Sequence, residues 1–140
     1  MYGGANVEEK AYSPICRKLA DTGYDVFILK TFEEFALFDI DKADTVLNHF
    51  DYENVSLMGH SLGGVAATNY LAKTKHKIDN LIYLASFSNI DISSLNVNVI
   101  SVQGTLDGVI SKESVAKSKA YMPSSFSELW IEGGNPAQFG

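Results

Sequence analysis

Apolar residues in this chain fall into short runs, separated by stretches in which they recur every three or four positions. "GYDVFILK" (23–30), "NVSLMG" (54–59), "NLIYLAS" (80–86), "NVNVISVQG" (96–104) and "FSELWIEGG" (126–134) are the runs. Val, Ile, Leu and aromatics bordered by Gly or polar residues predict buried parallel strands. Between them lie helical patterns. One spans about Glu8 to Asp21 and closes at Gly23, a C-cap position. Ser13-Pro14 inside it offers a second start, with Ser as N-cap and Pro at the first helical position. "DIDKADTVLNHF" (39–50) places Ile40, Ala43, Val46, Leu47 and Phe50 on one face. "SLGGVAATNYLAK" (61–73) is rich in small residues, as a helix packed closely on a sheet should be. "SKESVAKSKAYM" (111–122) opens with Ser111 as N-cap and Glu113 in its first turn. Strand–helix alternation predicts an α/β fold, a three-layer sandwich around a mostly parallel sheet with right-handed crossovers.

Length and charge narrow the function classes. At 140 residues the chain suits one domain, 1–140. The net charge of -6 and the scattered basic residues argue against a nucleic-acid partner. Lys73, Lys75 and Lys77 read as the solvated end of a helix, where positive charge suits the dipole. Cys16 is the only cysteine, which excludes an intrachain disulfide, and it reads as a small buried hydrophobe. No apolar run approaches a membrane span, and "MYGGANVEEK" is not a signal peptide. A complete chain of this kind reads as cytoplasmic; an upstream segment would admit anchoring or export. No cofactor or metal motif is present, and nothing fixes an oligomeric state.

The chemistry is concentrated in Gly59-His60-Ser61-Leu62-Gly63, a G-x-S-x-G pattern. Alone the pattern is weak. Here an apolar strand enters it and a small-residue helix leaves it, the context of a nucleophile elbow. Gly59 and Gly63 stand where a Cβ would collide with neighbouring backbone, and Gly64 adds room. The alternative is a glycine-rich turn whose serine merely caps the helix. The missing Walker Lys-Ser/Thr pair argues against a phosphate loop.

"GHSLGG", followed in order by "GTLDGVI", resembles the α/β-hydrolases. The chain is most similar to a small bacterial subfamily with an upstream "YxGAxVE" and a downstream "IEGGNHAQFG"; here those segments read "YGGANVEEKAYSPI" (2–15) and "IEGGNPAQFG" (131–140). The resemblance implies Ser61 as nucleophile and Asp107 as the triad acid, in the family's chain order. Asp91 is a rival, but it precedes the acid strand, and Asp107-Gly108 is also a common turn pair. It further implies an oxyanion hole built from the backbone N–H groups of Leu62 and Ala5. The family histidine falls at Pro136, which carries neither a base nor an amide proton. Neighbouring Asn135 is no base near neutral pH. Of the three histidines, His60 should pack beneath the site, His49 closes the second helix half-exposed, and His76 lies in a charged turn. None is expected to serve Ser61.

The resemblance also bears on the ends and on access. The chain begins near the end of what resembles the family's third strand and stops before the usual last helix, so it reads as truncated at both ends. Only Met1-Tyr2 of that strand could remain, so the runs at 24–30 and 54–59 should either pair directly or leave a gap with unpaired backbone groups between them. About 11 residues separate Ala85 from Val97, too few for a helical lid. Small esters, thioesters or lactones are the expected substrates, cleaved through an acyl-enzyme, with activity impaired by Pro136. A non-catalytic ligand- or protein-binding relative is the alternative. Phe32, Phe35, Leu37 and Phe38 read equally as an acyl-site wall or as core.

Overall fold

The computed structural model describes residues 1–139. Four strands form one parallel sheet in the order β1 (Ser56–His60), β2 (Asn80–Leu84), β3 (Asn98–Gly104) and β4 (Ser127–Ile131). The register sets His60 beside Leu84, Leu84 beside Val102, and Val102 beside Leu129. Alternation then divides the faces: Leu81, Tyr83 and Val99 are buried on one, while Ile100, Leu129 and Ile131 on the other are exposed.

The helices are α1 (Ser13–Ala20), α2 (Asp44–Leu47), α3 (Leu62–Lys73) and α4 (Lys112–Ser118). α1 follows a 3-10 turn at Glu9–Tyr12, so the first helical pattern is split at Ser13-Pro14, and Gly23 ends it at φ 99°. The N-cap of α1 is Tyr12, which makes no side-chain capping bond, and Ser13 is already the first helical residue. Ser111 does cap α4, its hydroxyl accepting from the Ser114 amide at 3.1 Å. The 39–50 pattern is a 3-10 turn at Ile40–Ala43 running into α2. Ile40, Ala43, Val46 and Leu47 reach the core, but Phe50 is exposed and packs beside Phe27 and Tyr52. α3 supplies Ala66, Ala67 and Tyr70 to that core, and its small residues let it lie close on β1 and β2.

One expected strand is not a strand. Residues 24–30 hold only an isolated bridge at Leu29. Tyr2 lies between this segment and β1, bridging Leu29 on one side and Gly59 on the other. Its amide donates to the Met58 carbonyl at 2.8 Å, its carbonyl accepts from His60 at 3.1 Å, and the Met1 carbonyl accepts from Leu29 at 3.0 Å. The two runs thus neither pair directly nor leave an empty gap. With two residues for a neighbour, the 24–30 backbone has no ladder to extend. Tyr2 is fully buried, and its hydroxyl donates to the Ile40 carbonyl and accepts from the Ala43 amide at 3.3 Å.

The 85–97 segment carries no helix. Fully buried Ile92 tethers it, its amide donating to the Tyr121 carbonyl at 2.9 Å. The aromatic stretch after residue 30 divides: Phe32 and Phe38 are exposed, whereas Leu37 packs against the core. No helix among the described residues is long and apolar enough to cross a membrane.

Candidate active site

Ser61 sits between β1 and α3 at φ 50°, ψ −124°, a region that residues with a Cβ rarely enter. The surroundings hold it there. Its amide donates to the Leu84 carbonyl at 3.0 Å, and its carbonyl accepts from the Ser86 hydroxyl at 2.6 Å and the Gly64 amide at 3.0 Å. The side chain makes no capping bond to α3, so the helix-cap alternative fails.

The elbow glycines answer to sterics. A Cβ on Gly59 would lie 2.4 Å from the Gly63 carbonyl oxygen and the Gly64 Cα. On Gly63 it would lie 2.3 Å from the Gly3 carbonyl oxygen, and on Gly64 2.1 Å from the Ser86 hydroxyl. Strand, helix and the 3–6 loop therefore meet at van der Waals limits around Ser61.

That loop contains the Ala5 amide. Neither the Ala5 nor the Leu62 amide donates to any acceptor among the described residues. The Gly4 amide is taken, donating to the Tyr12 hydroxyl at 2.7 Å. Two donors are thus free, one in the loop and one at the N-terminus of α3, where the helix dipole adds positive potential.

Asp107 lies in the loop after β3. Its Oδ1 accepts from the Val109 and Ile110 amides, both at 2.8 Å, while its Oδ2 is buried without a partner. The rival Asp91 is bound up in its own turn, its Oδ1 accepting from the Ser93 amide at 2.9 Å; the Ser93 hydroxyl and then that amide hold its carboxyl below the usual range. The loop after β4 is stitched to the Asp107 loop. Leu106 donates to the Gly134 carbonyl at 3.0 Å, Gly133 donates to the Thr105 hydroxyl at 2.9 Å, and a Cβ on Gly104 would strike Gly134. Pro136 opens the 3-10 turn Pro136–Gln138, capped reciprocally by Asn135 and Gln138. The half-buried pyrrolidine stands where the resemblance expects a base.

His60 is the point on which these loops converge. It is 4% exposed, its Nδ1 is 2.8 Å from the Tyr12 hydroxyl, and its Nε2 is buried with no well-formed hydrogen bond. Phe139 packs 5.9 Å from its ring. Burial pushes its pKa below the ordinary histidine value, opposed by the Pro136 carbonyl and the Asp107 carboxylate. His49 is exposed rather than half-exposed, and His76 bonds Asn48 at 3.1 Å near α2. Two further supports escaped the sequence patterns: buried Ser86 under the elbow, and Gln103, whose amide donates to the Ser86 carbonyl at 2.7 Å and to Ser101 at 2.8 Å. Only the burial alternation of β3 hinted that Ser101 and Gln103 share the inward face.

Comparison with known proteins decides the family. An alpha/beta hydrolase family model matches residues 1–140. The chain belongs to the alpha/beta hydrolase family. Solved structures agree on the fold. A predicted CIB-like hydrolase from Thermoplasma acidophilum aligns over 96% of this chain and 74% of its own, at 16% identity and TM-score 0.71. The esterase domain of a Rhodothermus marinus protein aligns over 99% and 76%, at 15% identity and TM-score 0.76. The type II thioesterase BorB from the borrelidin biosynthetic cluster aligns over 96% and 80%, at 12% identity and TM-score 0.75. No curated protein sequence matches. These matches give the family and the fold; position 136 of the hydrolase-family chain is proline.

Proposed function

We propose that this α/β-hydrolase-family chain is a serine hydrolase for small carboxylic esters, thioesters or lactones, with catalysis strongly impaired by Pro136. The strained backbone of Ser61 carries the reading. That conformation costs on the order of 1–3 kcal/mol and persists at sites where strain is used. Ser61 Oγ attacks the acyl carbon, and the Leu62 and Ala5 amides receive the developing oxyanion. Asp107, anchored through Oδ1, keeps Oδ2 for a base. No histidine stands in the loop after β4 to take the serine proton, so attack is slow. The rate left is what oxyanion stabilisation and binding provide.

The substrate class follows from access. With no helix in 85–97, nothing in that segment covers Ser61 as a lid. Two surface depressions, one lined by Glu8, Lys30 and Glu33 and the other by Asp41, Tyr70 and Lys73, do not include Ser61. An uncovered serine suits short acyl groups. The esterase and thioesterase named among the fold neighbours are consistent with this chemistry.

Pro136 itself favours a second reading, a binding protein that uses the former acyl site without turnover. The Pro136→His variant separates the two. A gain of about 10³-fold or more in hydrolysis of a small aryl ester is expected, the size of a restored triad member. A folded variant with no gain would sink the hydrolase reading. Ligand-induced stabilisation without fluorophosphonate labelling of Ser61 would favour the binding protein.

A further inference from the structure

The Gly4 amide, the Tyr12 hydroxyl and the His60 ring form a buried chain that the hydrolase reading does not use. Tyr12 is fully buried and His60 nearly so. The Tyr12 hydroxyl accepts from the Gly4 amide at 2.7 Å and meets His60 Nδ1 at 2.8 Å. A Cβ on Gly4 would lie 2.9 Å from that same Nδ1, and one on Gly3 would lie 3.1 Å from the Tyr12 ring. The 3–6 loop is therefore pressed onto these two side chains, and it also touches the start of α3 through Gly63.

Proton counting fixes the direction of the chain. The tyrosine oxygen already accepts from Gly4, and its own proton needs a buried acceptor. His60 Nδ1 is the acceptor present. If Nδ1 carried a proton instead, the tyrosine O–H would be left without a partner, at a cost of roughly 1–3 kcal/mol. The Pro136 carbonyl, which acts on the His60 ring without a well-formed bond, is the acceptor for a proton on Nε2. His60 is thus the neutral Nε2–H tautomer, donating nothing to Tyr12 and accepting from it. The sequence of donors is Gly4 amide to Tyr12 oxygen, then Tyr12 hydroxyl to His60.

We propose that Tyr12 and His60 are positioning residues for the oxyanion hole. His60 is bonded in the chain to Ser61, and Gly4 to Ala5, so the relay fixes the Ala5 amide against the nucleophile elbow. This rests on the hydrolase reading for its catalytic meaning, but the clamp itself is a statement about Gly4, Tyr12 and His60. A proton donor misplaced by even a fraction of an ångström loses much of its worth at a transition state.

The test uses the ¹⁵N-labelled chain and four variants: Tyr12→Phe, His60→Asn, His60→Gln and Pro136→His. The Asn amide oxygen reaches the place of Nδ1; the Gln amide reaches that of Nε2. Expected are an Nε2–H tautomer for His60 and amide exchange at Gly4 at least about tenfold faster in Tyr12→Phe and His60→Gln. His60→Asn should keep Gly4 protected, and exchange at Leu81 and Val99 should be unchanged throughout. In the Pro136→His background, Tyr12→Phe should lower kcat about tenfold at unchanged KM, with His60→Asn rescuing what His60→Gln loses. An Nδ1–H tautomer, unchanged Gly4 exchange in Tyr12→Phe, or loss of protection spread through the sheet would overturn the clamp. If Pro136→His is inactive, the hydrolase reading fails alone, and the tautomer and Gly4 exchange decide the clamp.

Discussion

The elbow and the loop after β4 bound the same site, yet they are built to opposite standards. At the elbow the Ser61 backbone is fully bonded, amide to Leu84 and carbonyl to Ser86 and Gly64, and there is no space for a Cβ at 59, 63 or 64. Beside Pro136, His60 Nε2 makes no well-formed hydrogen bond and Asp107 Oδ2 has no partner; a third such atom, Glu128 Oε1, lies on β4. Buried polar groups are normally paired, and two of the three exceptions among the described residues stand beside the site. The contrast teaches that, on the proposed reading, the strained half of the site stands intact beside a loop that offers Ser61 no proton acceptor.

The largest test of this contrast is kinetic. In the Pro136→His background, Asp107→Ala should remove about 10³- to 10⁴-fold of the restored rate, measured by ester hydrolysis. In the chain with Pro136 the same substitution should change the rate little, because no base is there to orient. Next comes the steric half. Gly59→Ala forces a Cβ into backbone at 2.4 Å, so about 3 kcal/mol or more should vanish in urea unfolding. Ser86→Ala should cost less, about 1–2 kcal/mol, since Gly64 still donates to the Ser61 carbonyl. At the loop, Gly133→Ala meets no neighbour but keeps φ at 70°, and about 1 kcal/mol should be lost. Gly108→Ala, with open space and no positive φ, should be neutral or stabilising by under about 1 kcal/mol.

The smallest effect is a slope with pH. His60 has its folded-state pKa lowered by burial, so the unfolded chain takes up its proton first as pH falls. Its contribution is present above the ordinary histidine pKa and is lost as pH drops below it. Unfolding free energy measured between pH 7 and 5 should therefore fall less steeply in His60→Asn than in the parent chain.

What the sequence revealed, it revealed through spacing. The strand entering Ser61 and the glycines around it follow from periodicity and sterics, because the elbow is a local structure closed within about 10 residues of chain. The 111–122 helix start was legible for the same reason, since Ser111 caps an amide three residues on. Segment 24–30 misled because strand propensity says nothing about whether a neighbour exists. Its composition is that of a strand, but Tyr2 offers it one bridge. Phe50 misled because α2 ends at Leu47, three residues before the apolar stripe runs out. The Tyr12–His60 contact spans 48 positions and was invisible to any local pattern.

Tyr2 has a dynamic consequence. The link between residues 24–30 and the rest of the sheet passes through Met1 and Tyr2, whereas β1 to β4 are joined by ladders of five paired residues each. Opening there breaks few hydrogen bonds and leaves the four-stranded body intact. The 24–30 segment is then a separate, weakly held cooperative unit, and its amides should exchange by local release well before those of β2 and β3. The rest of the sheet, and Ser61 with it, would open only in a larger event.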